Sequence, residues 1–421
     1  MRIPRPHRPC SALALSVLLA LAAFAPATAQ DTPDAEACPG GWSEVERRDD
    51  IAPEAVAVLS PDEAWVAGGA LLGGGRRQVA VLHDAGNGWE SELPPAPDTR
   101  DSGFMGIAAA GPDARVWAVG FGRETDEVVA ITSVHDGRGW KLTDTLRPGG
   151  DGAALTDVAA DAEAGVWAAG FIQGPPGDQR PWVLERTGGE WNGSTPPIGE
   201  DERATLAGIS ATAGGGVWAA GTVVDGATMR PYLVVRDGDH WRRHDSGIDG
   251  AARAAIDVPA ADDGWAAGHR LAGSSIEPLL LRWDGSAWTE VPGPEPGPGP
   301  TLLSSVSTAA GVVSVGGTTW DPDRRRYTAF VARDDGPGWT VSLARPGWGM
   351  GSITDIDGDP ATSGWAVGRM EEGFVGRTCA GETASITSVE PPSTTLASPA
   401  PQEPTMARPL KGAVKAVDVT K

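Results

Sequence analysis

Cysteine is almost missing from this chain: there are three in 421 residues, and Cys10 falls inside an N-terminal leader. So few thiols exclude a disulfide-dense scaffold and a thiolate-rich zinc module. Histidine is nearly as scarce. Of six, His7 lies in the leader, His83 and His135 share one repeat position beside a hairpin turn, and His240 and His244 flank Trp241 on an outer strand. That leaves His269, and one imidazole makes neither a metal centre nor a catalytic triad. The two tyrosines, Tyr232 and Tyr327, fall on strands, which leaves a copper–radical site without its phenol. Positive charge is short as well. Lys141 is the only lysine before residue 411, and the formal net charge is −22. A chain this acidic lacks the positive field that neutralises phosphates, which disfavours nucleic acid and an anionic membrane surface as partners. Beyond residues 12–24 there is no long apolar run, and that stretch is too short for a comfortable membrane span. No amphipathic helical period appears after it.

What the chain has in plenty is glycine (58), proline (36) and tryptophan (17). Many of these sit in one motif that keeps returning. GVWAAG at 216–221 recurs as VWAVG (116–120), VWAAG (166–170), GWAAG (264–268) and GWAVG (364–368), and more loosely as AWVAG (64–68) and VVSVG (312–316). The anchors are Trp65, Trp117, Trp167, Trp218, Trp265, Val313 and Trp365, spaced 47 to 52 residues apart. A second tryptophan follows the first six in near-constant phase: Trp89, Trp140, Trp191, Trp241, Trp288 and Trp339. A period near fifty built of strand-like units is the signature of a radial repeat. The expected fold is all-β: a seven-bladed β-propeller of four-stranded antiparallel blades.

The fifth unit shows how one blade is written. Residues 255–259 form an inner strand, GWAAG the second, PLLLRW (278–283) the third and WTEV (288–291) the fourth, with an Asp284-Gly285 hairpin before the last. The seventh unit has no fourth strand after it. Its missing strand stands at the other end of the chain, where residues 41–45 (GWSEV) match residues 287–291 (AWTEV) and Trp42 keeps the second-tryptophan phase. An N-terminal strand is therefore expected to close the ring in the last blade. In that frame Cys379 ends a third strand and Cys38 opens the turn to the fourth, so a disulfide is expected across the closing hairpin.

The remaining organisation follows from composition. Residues 1–29 read as a secretory signal, with Arg2, Arg5 and Arg8 ahead of the apolar run and Ala27-Thr28-Ala29 as the cleavage site. Residues 30–37 are a short linker, 38–380 the propeller, and 381–421 a Ser/Thr/Pro-rich disordered tail or a linker. Export to an extracellular location and a monomeric state are expected.

The motif GVWAAG followed by Asp-Gly-x-x-Trp resembles the kelch-type propeller repeat, though only Gly68-Gly69 and Gly316-Gly317 keep its double glycine. It is also similar to repeats of secreted bacterial propellers, which residues 283–288 (WDGSAW) match closely. Similarity of this kind implies a fold and an extracellular setting, and little chemistry.

Fixed phase is the mark of packing, so the repeated tryptophans are expected in the core between blades. Four are off phase. Trp182 and Trp283 lie on third strands and are expected buried. Trp320 falls in a second-to-third-strand loop and Trp348 in the connection to the last blade, on the face where propellers take ligands. Beside Trp320 stand Arg324 and Arg325 in the only basic cluster of the acidic propeller. With His269 these four are the candidate ligand-binding residues; the bland alternative is rings packed under their own loops and arginines neutralised by neighbouring aspartates. Asp355-Ile356-Asp357 looks like the start of a calcium loop, but Thr354-Asp355-Ile356 aligns with Thr156-Asp157-Val158, which makes Asp355 a repeat position.

No metal, cofactor or catalytic set can be assembled from these residues. The expected function is a non-catalytic binding or scaffold module that recognises a protein or a glycan through its loop face. The alternative is a polysaccharide hydrolase or lyase using loop acids such as Glu124, Asp126, Asp178, Asp225, Glu371 and Glu372.

Overall fold

The computed structural model describes residues 42–378, apart from residues 75, 98, 111–114, 125–126, 162–164, 176, 213, 274, 335, 337, 344–350, 360–363 and 370–372. The leader, the linker, Cys38, Trp348, Cys379 and the tail lie outside the described residues.

Among the described residues every regular element is a strand. After β1 (Trp42–Arg48), the strands β2 (Ile51–Ser60), β3 (Glu63–Leu72), β4 (Arg76–Asp84) and β5 (Glu90–Glu92) form an antiparallel sheet of four. Next come β6 (Asp101–Ala110), β7 (Arg115–Arg123), β8 (Val128–His135) and β9 (Trp140–Leu146). They are followed by β10 (Gly152–Asp161), β11 (Gly165–Gln173), β12 (Gln179–Thr187) and β13 (Glu190–Ser194). Each of these sets is antiparallel, and a lone parallel pairing of Gly152 with Val128 joins them into one eight-stranded sheet. Three further sheets of four repeat the pattern. The first is β14 (Glu202–Thr212), β15 (Gly216–Asp225), β16 (Thr228–Asp237) and β17 (His240–His244). The second is β18 (Ala251–Ala260), β19 (Asp263–Ala272), β20 (Ser275–Trp283) and β21 (Trp288–Val291). The third is β22 (Thr301–Ala309), β23 (Val312–Asp321), β24 (Arg326–Asp334) and β25 (Trp339–Leu343).

The last sheet has β26 (Ser352–Asp357), β27 (Trp365–Arg369) and β28 (Gly373–Thr378), and its fourth strand is β1. Trp42 lies opposite Thr378 and Arg48 opposite Gly373, the antiparallel pairing that the phase of Trp42 implies. First strands lie against one another in the succession β2, β6, β10, β14, β18, β22 and β26, and β26 lies against β2.

The hairpins form where Asp-Gly was read. Gly285 has φ 89°, a left-handed conformation that costs a glycine little, and the Asp284 carboxylate accepts the N–H groups of Ser286 and Ala287 at 2.9 Å. Those bonds hold the Asp284 pKa down at about 2.

The tryptophans fill the wedges between sheets. Trp65 meets Trp140 edge-on at 5.8 Å, Trp117 meets Trp191 at 5.7 Å, Trp167 meets Trp241 at 6.1 Å and Trp218 meets Trp288 at 5.5 Å. In each pair the anchor of one set touches the second tryptophan of the next. Trp365 of the last sheet continues the series by meeting Trp89 of the first at 5.1 Å. Such edge-to-face pairs add about 0.5–1.5 kcal/mol each beyond the area they bury. Trp182 and Trp283 are buried on third strands as expected.

Two readings of the repeat need correction by one residue. In five sets the repeated glycine of the second strand sits where a Cβ would strike an inner-strand carbonyl; at Gly120 it would lie 2.0 Å from Gly103 O. In the sixth unit that glycine is Gly317, 2.0 Å from Leu302 O, and not Gly316. The anchor there is accordingly Ser314, opposite Arg333, rather than Val313. His83 and His135 likewise do not share a position: His83 pairs with Trp65, whereas His135 pairs with Val116, one step further along. Both rings still converge on Trp65, His83 stacked at 3.6 Å and His135 at 4.9 Å from the adjoining set.

Candidate functional site

Each first strand carries the same irregularity. The register with the second strand shifts between Pro53 and Ala55, Phe104 and Gly106, Leu155 and Asp157, Leu206 and Gly208, Ala252 and Ala255, Leu303 and Ser305, and Ile353 and Asp355. A bulge inserts one residue that re-aims a side chain. The bulged residues Glu54, Met105, Thr156, Ala207, Ser304 and Thr354 all line one cavity of about 440 Å³, to which every first strand contributes.

Where the bulged residue has a hydroxyl, the hydroxyl repairs the ladder. Thr156 Oγ1 donates to Ala169 O at 3.0 Å and lies equally close to Leu206 O of the neighbouring sheet. Ser304 Oγ reaches Gly316 O and Ile353 O, and Thr354 Oγ1 donates to Val367 O.

Beside the bulges, buried carboxylates tie one inner strand to the next. Asp157 accepts Val158 N–H at 2.8 Å and Ile209 N–H at 2.9 Å. Asp257 accepts Thr308 N–H at 2.6 Å, while Ser210, which donates to Asp257, accepts Val258 N–H at 2.9 Å. Between last and first sheets there are two such ties, Val56 N–H to Asp355 and Val58 N–H to Asp357. Asp355 and Asp157 therefore do the same work, as their alignment implies. Burial drives all four pKa values up, to about 7 for Asp157 and about 6 for Asp257; the charges of Asp157 and Asp357 raise Asp355 further.

The cavity reaches the sheet ends at Ser352 and Arg369, which pair across β26 and β27. There the Arg369 guanidinium forms an ion pair with the buried carboxylate of Glu54. The same rim carries the connections from second to third strands. A shallower hollow of about 320 Å³ opens on it beside Gln173, Gln179 and Arg203. Leu71, Leu72, Leu93, Leu271 and Leu343, five of the six exposed large apolar side chains among the described residues, also sit at this end of their sheets.

Of the residues singled out in the sequence, Trp320, Arg324 and Arg325 share one hairpin on this rim. Trp320 lies on β23, one residue before its end, rather than in a loop; it pairs with Tyr327 and meets its ring edge-on at 5.2 Å. Asp321 caps the turn by accepting the N–H groups of Asp323 (3.0 Å) and Arg324 (2.9 Å), and its carboxylate binds the Arg324 guanidinium. Arg325 takes the left-handed conformation (φ 52°) and is exposed. His269 is on strand β19 rather than in a loop, half-buried opposite Ala252 and Pro278. Three of the acids are held by arginines: Glu124 by Arg147, Asp178 by Arg180 at 3.0 Å, and Asp225, the last residue of β15 rather than a loop residue, by Arg230 at 3.1 Å. Asp126, Glu371 and Glu372 lie outside the described residues. Among the described residues no three His, Cys, Asp or Glu side chains are grouped to hold a metal ion, and no helix is long and apolar enough to cross a membrane.

No protein-family model matches the chain, and no curated protein does. Solved structures do. The chain is similar to YCF48 bound to D1 peptide, with a TM-score of 0.51 and 12% identity over 81% of this chain and 97% of that one. It is also similar to Trypanosoma rangeli sialidase (TM-score 0.43, 11% identity, 80% of this chain and 58% of that one). A third is Aleuria aurantia lectin (TM-score 0.42, 14% identity, 71% of this chain and 100% of that one). The fold is a β-propeller.

Sequence reasoning missed the axial wall of this propeller. Its bulges, and the carboxylates beside them, come from residues about fifty apart whose only shared signal was Thr-Asp-Val against Thr-Asp-Ile.

Proposed function

We propose that the protein is a secreted, non-catalytic binding propeller that recognises a protein or glycan at the rim where the axial cavity and the second-to-third-strand connections meet. One observation carries this reading: both hollows, the exposed leucines and the Trp320 hairpin gather on that rim. The carboxylates beside the bulges accept main-chain N–H groups, and the described candidate acids pair with arginines, which weighs against glycoside chemistry. The YCF48 structure is of a propeller with a bound peptide, a precedent for such a surface.

The same proposal includes a closed ring of seven kelch-like blades running from residue 38 to 380. Contact of β26 with β2, and of Trp365 with Trp89, supports it. A signal peptide at 1–29 would export the chain to the extracellular space as a monomer, and a Cys38–Cys379 disulfide would lock the closing hairpin. Intact mass with and without reductant checks the disulfide, since a bridge gains two hydrogens on reduction.

The ligand site is tested by screening immobilised glycans and extracellular peptides with the mature protein and with a Trp320→Ala/Arg325→Ala/Leu271→Ser variant. The variant is expected to lose at least about tenfold in affinity for whatever the wild type captures. Unchanged capture of every ligand would place recognition elsewhere.

A further inference from the structure

The axial cavity has a chemistry of its own. Its two charged residues at the mouth, Glu54 and Arg369, neutralise each other and together present an acceptor and several donors at one point. Deeper in, the protons of Thr156, Ser304 and Thr354 are directed at main-chain carbonyls, so these hydroxyls offer the cavity lone pairs. Between them the wall is apolar and small, with Met105, Ala55 and Ala207. An anionic guest would face the Glu54 carboxylate, and a cationic one would compete with Arg369 for it. What fits is a neutral group with several hydroxyls to donate and a C–H face to lay on Met105. A volume of about 440 Å³ lies within the range of small-molecule pockets and is ample for such a residue.

We propose that the axial cavity is a subsite for a single neutral sugar residue, gripped at the mouth by Glu54 and Arg369. This rests on the reading of the protein as a binding propeller and names the ligand class for one part of its rim. The bulge is what makes the subsite possible. In six of the seven first strands it turns one side chain toward the cavity, and those side chains differ (Glu, Met, Thr, Ala, Ser, Thr) where the rest of the unit repeats.

The test uses saturation-transfer NMR on the mature chain with a panel of methyl glycosides of neutral hexoses and N-acetylhexosamines. A uronic acid and an amino sugar serve as charged counterparts. At least one neutral glycoside is expected to bind with a millimolar Kd, more tightly than its charged counterparts. Met105→Trp, which fills the cavity, should weaken it at least about tenfold, and so should Glu54→Gln/Arg369→Gln, which removes the pair without stranding a buried charge. Thermal unfolding of each variant reports whether it folds, and the double variant stands in if the tryptophan does not. Lys141→Gln, an exposed change on β9 outside the cavity lining, should leave the signal unchanged. The inference is overturned if no neutral glycoside binds, if the charged counterparts bind better, or if a folded cavity variant binds as the wild type does. Loss of polymer capture in the rim variant alongside silent glycosides would sink the subsite and leave the binding reading standing. Glycoside binding without any effect of the rim variant would do the reverse.

Discussion

The wedges between sheets and the wall of the axis are built from the same repeating unit, yet they treat side-chain identity in opposite ways. In the wedges the chain writes tryptophan again and again, because each wedge is the same shape and a large ring fills it. On the axial wall the bulged position reads Glu54, Met105, Thr156, Ala207, Ser304 and Thr354. All first strands share one axis, so no single residue there has to satisfy a repeated contact. A repeat holds constant what packs one unit on the next and leaves free what all units face together. The recognition proposed above belongs to the second class.

The sharpest test of the packing side uses two adjacent glycines. A Cβ on Gly68 would lie 2.1 Å from the Ala52 carbonyl oxygen, which is backbone and cannot give way. On Gly69 it would lie 3.0 Å from Arg77 Cδ, part of a flexible side chain. Gly68→Ala should therefore abolish cooperative folding, while Gly69→Ala should change stability by less than about 1 kcal/mol. Denaturant melts of the pair decide it, and equal behaviour would refute the close approach as the reason for the repeated glycine.

Next in size is Trp218→Ala. The ring is buried against Trp288 and Trp283, so its loss should cost about 3–5 kcal/mol. The sixth unit already lives without this ring, since Ser314 holds its anchor position, and Trp42 packs against an apolar cluster that includes Val331 and Phe374. A loss below about 1 kcal/mol at Trp218 would mean that the wedges tolerate emptiness generally.

A smaller effect separates the carboxylate ties from the wedges by pH. Asp157 and Asp257 have folded pKa values raised by burial, to about 7 and about 6, against an unfolded value of about 3.9. The folded state then holds these protons more tightly than the unfolded chain. Their contribution is complete below about pH 4 and is lost as pH rises through 6 to 7. The thermal midpoint should fall over that window, and Asp157→Asn should flatten the fall while losing one of two accepted N–H bonds. An unchanged pH slope in that variant would show that Asp157 stays ionised throughout.

Much of the packing side was legible in the sequence. Tryptophan phase marked the wedges, Asp-Gly marked the hairpins, and GWSEV against AWTEV gave β1 as the partner of β28. The axial side was not. One extra residue in a strand of period two leaves the apolar count nearly unchanged, so a bulge has no composition signal. The glycine pair 316–317 hid which residue approaches the inner strand, and with it the true anchor Ser314. Trp320 and His269 were placed in loops because strand ends carry no marker where a hairpin runs long. Ion pairs such as Asp178–Arg180 join side chains whose mutual geometry a sequence does not contain.

The smallest prediction reaches into the bulge itself. Thr156, Ser304 and Thr354 each satisfy a second-strand carbonyl with a side-chain hydroxyl, whereas Ala207, at the same point of β14, brings no hydroxyl to the bulge. The carbonyl matching that of Ala169 belongs to Ala220, which pairs with Gly208 just past the bulge as Ala169 pairs with Asp157. Ala207→Thr should supply the missing donor. The side chain lines the cavity, so the added atoms meet open space rather than packed core. One net hydrogen bond contributes about 0.5–1.5 kcal/mol, and a β-branched residue suits a strand. Ala207→Thr should thus raise the thermal midpoint slightly, and Ala207→Val, equal in shape but without the donor, should not. If the two variants melt together, the hydroxyls of the other bulges are incidental, and what the axial wall selects is size alone.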